Sequence, residues 1–506
     1  MSDTPRYDPY ALPPDAITDP PVSLWQALRK IGPGIILAGS IVGSGELIAT
    51  TALGAEYGYS FMWLILYSCA IKVFVQIELG RNAISSGKPT LTALNDLPGP
   101  KFLFLIGWAD KNGQLTGINR LQGGNSGAHW LVWWWFFMLL CTVSQLGGMT
   151  GLVGQSLNLG FPNVAQNVAN LLEPISSTLA ADVRARPELP WAFLTCLSAI
   201  LLLRSGGYRR VETLTTLLVA SVTIITLVCV LALPATHHAP DPVGIAQGLI
   251  PRLTAGSFGT ALAVFGITGV GASELYSYPY WCLEKGYARY TGLREENSAW
   301  LARAQGWMRV LYLDAWFSMM VFTVATVAFY VMGAAVLNPQ GLHPQGQKVI
   351  EVLSEMYVGP FGKWTQIVFL IGAGLTLFKT LYVSSASHSR LVTDFFRLNG
   401  WIELRHAEDR MLWINRLCIF FPVFALVLFL TFKEPKGMVI FGCIAQALTL
   451  PIISGATLYL RYRKTDPRLR PMGVTDALLW IAFISITIVA SYGVYSKLAE
   501  LLASPA

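Results

Sequence analysis

Charge is scarce in this chain. Asp, Glu, Lys and Arg make up 13% of its 506 residues, while 53% are hydrophobic; soluble domains carry about 25% charged residues. No apolar run lies near Met1, where the first thirty residues are polar and rich in proline. No cleavable signal peptide is therefore expected, and the first hydrophobic helix acts as its own insertion signal. No C-x-x-C pair occurs among the seven cysteines, Cys69, Cys141, Cys196, Cys229, Cys282, Cys418 and Cys443. All fall in or at the edge of apolar stretches and read as small packing residues, with no disulfide framework or cysteine metal site. P-loop, Rossmann and nucleophile motifs are missing, so neither an enzyme, a bound cofactor nor ATP-driven pumping within this chain is expected. The pair His237-His238 stands without other metal-ligand residues. A net charge of +7 would suit nucleic acid. The basic residues, however, sit in short loops between apolar stretches, where they report membrane topology.

What is present is a series of long apolar stretches. A membrane span needs about 20 mostly apolar residues. The sequence offers eleven: 33–56, 60–80, 130–152, 189–204, 211–234, 257–282, 307–335, 361–386, 411–431, 436–460 and 473–496. The expected class is an all-α, multi-pass protein of the lipid bilayer. With the N-terminus placed in the cytoplasm, the cytoplasmic segments hold 26 of the 36 Lys and Arg residues and the outer segments 8. The cytoplasmic segments include the N-terminal tail, the 81–128 loop and the Arg204–Arg210 corner. Two lysines, Lys72 and Lys379, lie inside spans. Positive charge collects on the cytoplasmic side, so the N-terminus is expected inside, the C-terminus outside, and the membrane to be a bacterial inner membrane.

One motif occurs twice. Val42-Gly43-Ser44-Gly45-Glu46-Leu47 returns 228 residues later as Val270-Gly271-Ala272-Ser273-Glu274-Leu275. Both copies interrupt apolar spans, the first and the sixth, with small residues beside a carboxylate. Matching interruptions in two halves point to a transporter's substrate site. Five spans separate the copies, so the halves are oppositely oriented. The expected organisation is a cytoplasmic tail (1–30), a five-helix repeat (31–235), an inverted five-helix repeat (256–460) and an added eleventh helix (473–496).

Further stretches carry a family likeness. Gly32-Pro33-Gly34 opens the first span and Ala55-Glu56-Tyr57-Gly58-Tyr59 closes it. Glu78-Leu79-Gly80-Arg81 with Ser86-Gly87-Lys88 ends the second, and Ala445-Gln446-Ala447-Leu448-Thr449-Leu450-Pro451 lies in the tenth. In these the chain resembles the Nramp (natural resistance-associated macrophage protein) metal transporters, over roughly residues 30–460. The resemblance implies the leucine-transporter-like fold, a 5+5 inverted repeat with broken helices 1 and 6 plus helix 11. The departure sits at the centre. Where the family has Asp-Pro-Gly-Asn, this chain has Gly43-Ser44-Gly45-Glu46. Where it has Met-Pro-His-Asn, this chain has Gly271-Ala272-Ser273-Glu274. The family's glutamine in helix 10 is kept as Gln446.

The chemistry of these residues frames the expected site. Gly43, Gly45, Gly271 and Ala272 favour unwound backbone whose carbonyls face a ligand; a small-residue packing face is the alternative. A carboxylate at mid-span marks an ion or substrate path, and Glu46 and Glu274 are expected at one depth, facing one central cavity. With Ser44, Ser273 and Gln446 they would form an oxygen-rich shell for hard divalent ions such as Mn²⁺ or Mg²⁺, since no soft ligand remains at the breaks. The expected partner is thus a transported divalent cation, with proton coupling left open. The alternative is a small organic solute or organic cation, for which Tyr276, Tyr278, Tyr280 and Trp281 offer a lining. A receptor that binds without transporting has no signalling domain to support it. Lys72 and Lys379 are coupling candidates. The resemblance suggests that Lys379 occupies the helix 1–helix 8 cation position of sodium-coupled relatives; snorkelling to the membrane surface is the alternative. Lys72 is expected to pair with a buried acid. Glu56 and Asp314 are candidates for a proton path or for helix interfaces.

Overall fold

A computed structural model describes residues 10, 14–102, 127–204, 208–252, 257–344, 348–471 and 473–503. Residues 1–9 and 11–13 of the expected cytoplasmic tail, residues 103–126 of the second loop and residues 205–207 of the Arg204–Arg210 corner lie outside the described residues.

Helices dominate. The first span is split into α1 (Pro33–Ile41) and α2, which opens with a π-helical stretch (Gly45–Thr50) and continues as α-helix (Thr51–Tyr57). There follow α3 (Met62–Ser86), α4 (Trp130–Gly160), α5 (Leu189–Leu203) and α6 (Tyr208–Ala232). The sixth span is also split, into α7 (Phe258–Ile267) and α8 (Ala272–Lys285). The remaining helices are α9 (Ser298–Met332), α10 (Trp364–Leu398), α11 (Ala407–Phe432), α12 (Pro435–Arg463) and α13 (Val474–Ala503). A short antiparallel pair, β1 (Lys101–Phe102) and β2 (Ala128–His129), precedes α4. Among the described residues, eight helices are long and apolar enough to cross a membrane, or ten if two bent pairs each count as one span. The chain is an integral, multi-pass membrane protein.

Several helices outrun the apolar stretches that announced them. α10 runs to Leu398, past the expected 386, and α3 reaches Ser86, past the expected 80. Apolar length reports bilayer thickness, whereas a helix continues into water until a stop signal. At the end of α3 that signal is Gly87, left-handed with φ 68°.

Packing places the two broken helices at the centre. α4 runs along α12 and α10, α9 packs on α3, and α1 contacts α6, α8, α9 and α10. Close approach depends on glycine at particular crossings. A Cβ on Gly54 would lie 2.6 Å from the carbonyl oxygen of Tyr330, and one on Gly333 2.5 Å from that of Thr51. These two contacts press α2 against the end of α9. On one end of the bundle, Glu78 accepts from Arg81 (3.1 Å) and from Arg461 (2.8 Å), which also reaches Asp476 (2.8 Å). That buried cluster joins α3, α12 and α13 and gives the Glu78–Arg81 stretch a structural use.

Candidate functional site

The site begins with two gaps in hydrogen bonding. α1 stops at Ile41 because Val42 leaves helical geometry (ψ 77°). α7 stops at Ile267; Thr268 and Gly271 are extended, and Gly269 takes φ 67°, which favours glycine. A Cβ at Gly269 would also lie 2.9 Å from the backbone of Cys69. Inside a bilayer, backbone groups freed this way need partners from the protein.

Neighbouring helices provide them. Lys379, fully buried on α10, donates to the carbonyl of Val42. Lys72, fully buried on α3, donates to the carbonyls of Phe265 and Thr268 (2.9 Å to the latter), beside Ser68 Oγ, which reaches Thr268 O at 3.0 Å. Each lysine therefore meets the C-terminal, electronegative end of a half-helix, where a cation is stabilised. Neither snorkels to a surface. Lys72 bonds carbonyls where the sequence suggested a buried acid. Asp314, on α9, accepts from the N–H groups of Gly32 (2.8 Å) and Gly34 (2.7 Å) and from the Tyr278 hydroxyl (2.9 Å). It thus caps α1 from another helix, a service that Gly32 at the N-cap position has no side chain to perform.

The two glutamates part company. Glu46 folds back, accepting from the Gly43 N–H (3.2 Å) and from the Thr326 hydroxyl of α9 (3.3 Å). Glu274 faces a cavity between α1, α4, α8, α10 and α12 that Glu46 does not line. Glu46, expected to face the same chamber, turns instead onto the N–H of Gly43. Ser40 Oγ donates to Glu274 Oε1 at 2.7 Å. Glu274 Oε2 and Ser273 Oγ are buried without a hydrogen-bond partner. Gln446 Oε1 accepts from Ser273 N (3.1 Å), Gln446 Nε2 donates to Gln145 Oε1 (3.3 Å), and Gln145 Nε2 donates to Ser44 Oγ (3.2 Å). One relay of two glutamines thus links the helix 6 break to the helix 1 break, and Gln446 caps α8.

The cavity leaves about 20 Å³ for the centre of a water-sized sphere. Roughly 10–15 Å³ on that measure holds one water, so there is room for a single water or ion. Glu56 lies away from it, meeting Thr260 Oγ1 (3.5 Å) and Lys436 (4.0 Å) where α2, α7 and α12 converge. Tyr276, Tyr278, Tyr280 and Trp281 are buried in packing and do not line it.

The glycines explain how the motif can depart from a longer side chain. A Cβ at Gly43 would collide with the side chain of Thr380 on α10. A Cβ at Gly271 would lie 2.6 Å from both Gln446 Oε1 and Glu274 Oε2. The space that a side chain at either position would need is thus filled by polar atoms of other residues.

Much of the lining was not anticipated from the sequence, including Ser40, Gln145, Met149 and His388. A signal was available for the last. Thr380, Ser384 and His388 recur every fourth residue on one face of α10, and all three line the cavity. Among the described residues, no three His, Cys, Asp or Glu side chains are grouped so as to hold a metal. The ionisable groups of the cavity are Glu274 and His388.

The family profile described as natural resistance-associated macrophage protein-like matches residues 125–496. The chain belongs to the Nramp family. It is 23% identical over 487 residues to an uncharacterized protein of Pasteurella multocida, covering 93% of this chain and 92% of that one. To a divalent metal cation transporter of Listeria monocytogenes it is 21% identical over 322 residues, covering 62% of this chain and 56% of that one. Among solved structures, the manganese transporter of Eremococcus coleocola superposes with a TM-score of 0.61 at 16% identity, covering 97% of this chain and 91% of that one. Mhp1, a nucleobase-cation-symport-1 family transporter in a closed conformation, gives a TM-score of 0.52 at 12% identity, with 93% and 91% coverage. The Nramp chain therefore has the leucine-transporter-like fold, predominantly helical, with the first and sixth spans broken.

Proposed function

We propose that this Nramp chain is a secondary transporter of divalent cations, with Glu274, Ser273 and Gln446 holding the ion and Glu46, Ser44, Gly43 and Gly45 shaping the break beside it. The observation that carries this reading is that Glu274 and Ser273 both line a cavity with room for one ion, and that Glu274 Oε2 and Ser273 Oγ are buried without a hydrogen-bond partner. An uncompensated carboxylate in a bilayer attracts a cation or a proton. The relatives named as metal transporters support the same direction. Mn²⁺ suits the donor set.

Alternating access, with the two repeats rocking about the breaks, is the expected mode for this fold. A proton is the natural alternative occupant of Glu274, which makes proton coupling part of the proposal. The bias of basic residues supports a cytoplasmic N-terminus in a bacterial inner membrane, with the repeats at 31–235 and 256–460 and helix 11 at 473–496.

Calorimetric titration of the purified chain with Mn²⁺, Mg²⁺ and Ca²⁺ tests the site. Binding of a divalent ion is expected, and its loss in Glu274→Gln. A wild-type chain that binds none of the three, or a variant that binds as well as wild type, overturns the reading. Uptake into proteoliposomes carrying a pH-sensitive dye tests coupling: acidification with metal entry is expected, and metal entry without it removes the proton.

A further inference from the structure

The cavity is less purely oxygen-lined than the motif suggests. His388 reaches it from α10 and Met149 from α4. His388 is 5% exposed, packs against the Phe421 ring with centroids 5.5 Å apart, and keeps a buried Nδ1 with no hydrogen-bond partner. A buried polar nitrogen without a partner is costly unless something occupies the position beside it. Glu274 and Ser273, which line the same cavity, carry the two other partnerless polar atoms already described, Oε2 and Oγ. Three residues from two helices thus line room for one ion, and each holds a buried donor or acceptor with no partner. Met149 is 1% exposed and adds a polarisable sulfur to the wall.

We propose that His388 supplies a nitrogen ligand to the ion in this cavity and so turns the site toward transition-metal ions and away from Mg²⁺ and Ca²⁺. The inference rests on the cation reading above and names the substrate class more narrowly. Imidazole suits first-row transition metals, whereas Mg²⁺ and Ca²⁺ prefer oxygen alone. Helix 6 of this chain has no histidine at its break, where Ser273 stands. The nitrogen comes instead from α10, one face-repeat beyond Thr380 and Ser384. Met149 reinforces the same preference through its thioether.

The test uses purified full-length chain in detergent with Mn²⁺. Electron spin-echo spectra of the bound ion report directly coordinated nitrogen. Wild type is expected to show that nitrogen coupling and to bind Mn²⁺ more tightly than Mg²⁺ in competition. In His388→Ala, and in His388→Gln, which keeps more of the side-chain volume, the coupling disappears. Mn²⁺ affinity should fall by about tenfold or more, with Mg²⁺ affinity held. Bound Mn²⁺ without nitrogen coupling in wild type, or an unchanged Mn²⁺-to-Mg²⁺ preference in both variants, overturns the role of His388 and leaves the cation site standing. A wild-type chain that binds neither ion overturns both.

Discussion

Lys379 and Glu46 hold opposite sides of one peptide unit. The Lys379 ammonium donates to the carbonyl of Val42, and the N–H of the same peptide group, at Gly43, donates to the Glu46 carboxylate at 3.2 Å. Both side chains are fully buried. Charge-assisted hydrogen bonds in a low-dielectric interior are stronger than neutral ones. The break in helix 1 is therefore a clamped turn, its peptide gripped from one side by Lys379 and from the other by Glu46.

Removing one side of the clamp should expose the other. Lys379→Met is expected to destabilise the chain by about 3–5 kcal/mol, the range for breaking a buried charge arrangement from one side. Adding Glu46→Gln to that variant should recover part of the loss, because coupled sites are not additive. Thermal unfolding of the two single variants and the double variant measures this. A double variant whose loss equals the two single losses together would show that the charges act independently.

Restoring the longer side chain in helix 1 should fail on steric grounds. Gly43→Asp or Gly43→Ala drives a Cβ into Thr380, and overpacking of this kind costs about 1–3 kcal/mol. Thr380→Gly introduced alongside Gly43→Ala should relieve it. Folded yield and melting temperature are the measurements, and a Gly43→Ala chain as stable as wild type would refute the proposed collision.

The two glutamine substitutions should separate binding from support. Gln446→Leu removes the cap on Ser273 N and a cavity oxygen together. It should lower Mn²⁺ affinity and cost about 1–3 kcal/mol of stability through the unsatisfied N–H. Gln145→Leu leaves the bond from Ser273 N to Gln446 in place while cutting the relay to Ser44. Its effect should fall more on stability than on affinity. Parallel calorimetry and unfolding of both variants decide the matter; equal affinity losses would place Gln145 in direct contact with the ion.

Asp314 should govern the start of α1. Asp314→Ala strips the N–H groups of Gly32 and Gly34 of their shared acceptor. A lost cap costs about 0.5–2 kcal/mol, so amide hydrogen exchange in residues 33–41 should accelerate by about two- to thirtyfold, since each 1.4 kcal/mol is a factor of ten. Exchange in α12 should be unaffected. Unaltered exchange across α1 would remove Asp314 from the control of that half-helix.

The breaks were legible in the sequence because their causes are local. Gly43-Ser44-Gly45 and Gly269-Val270-Gly271 weaken a helix wherever they occur, and the repeated motif located both. Lys72 and Lys379 were also visible as charges out of place in apolar spans. Their partners were hidden, since Val42, Phe265 and Thr268 lie nearly two hundred or more residues away along the chain. Asp314 shows the same limit. Its charge inside a span announced a function, yet nothing near it in the chain names Gly32 and Gly34 as the groups it caps.

Sequence by itself determined the membrane class, the apolar spans, the family and the position of both breaks. Hydropathy, glycine conformational freedom and short motifs each act through neighbouring residues. Tertiary structure alone decided which side chains share the cavity. It set Glu274 into the cavity and turned Glu46 onto Gly43, although the two occupy equivalent motif positions. It also brought in His388 and Met149 from helices that carry no part of the motif. The physical reason is helix rotation: which stripe of a helix faces inward is fixed by packing against its neighbours, and that packing joins residues far apart in the chain.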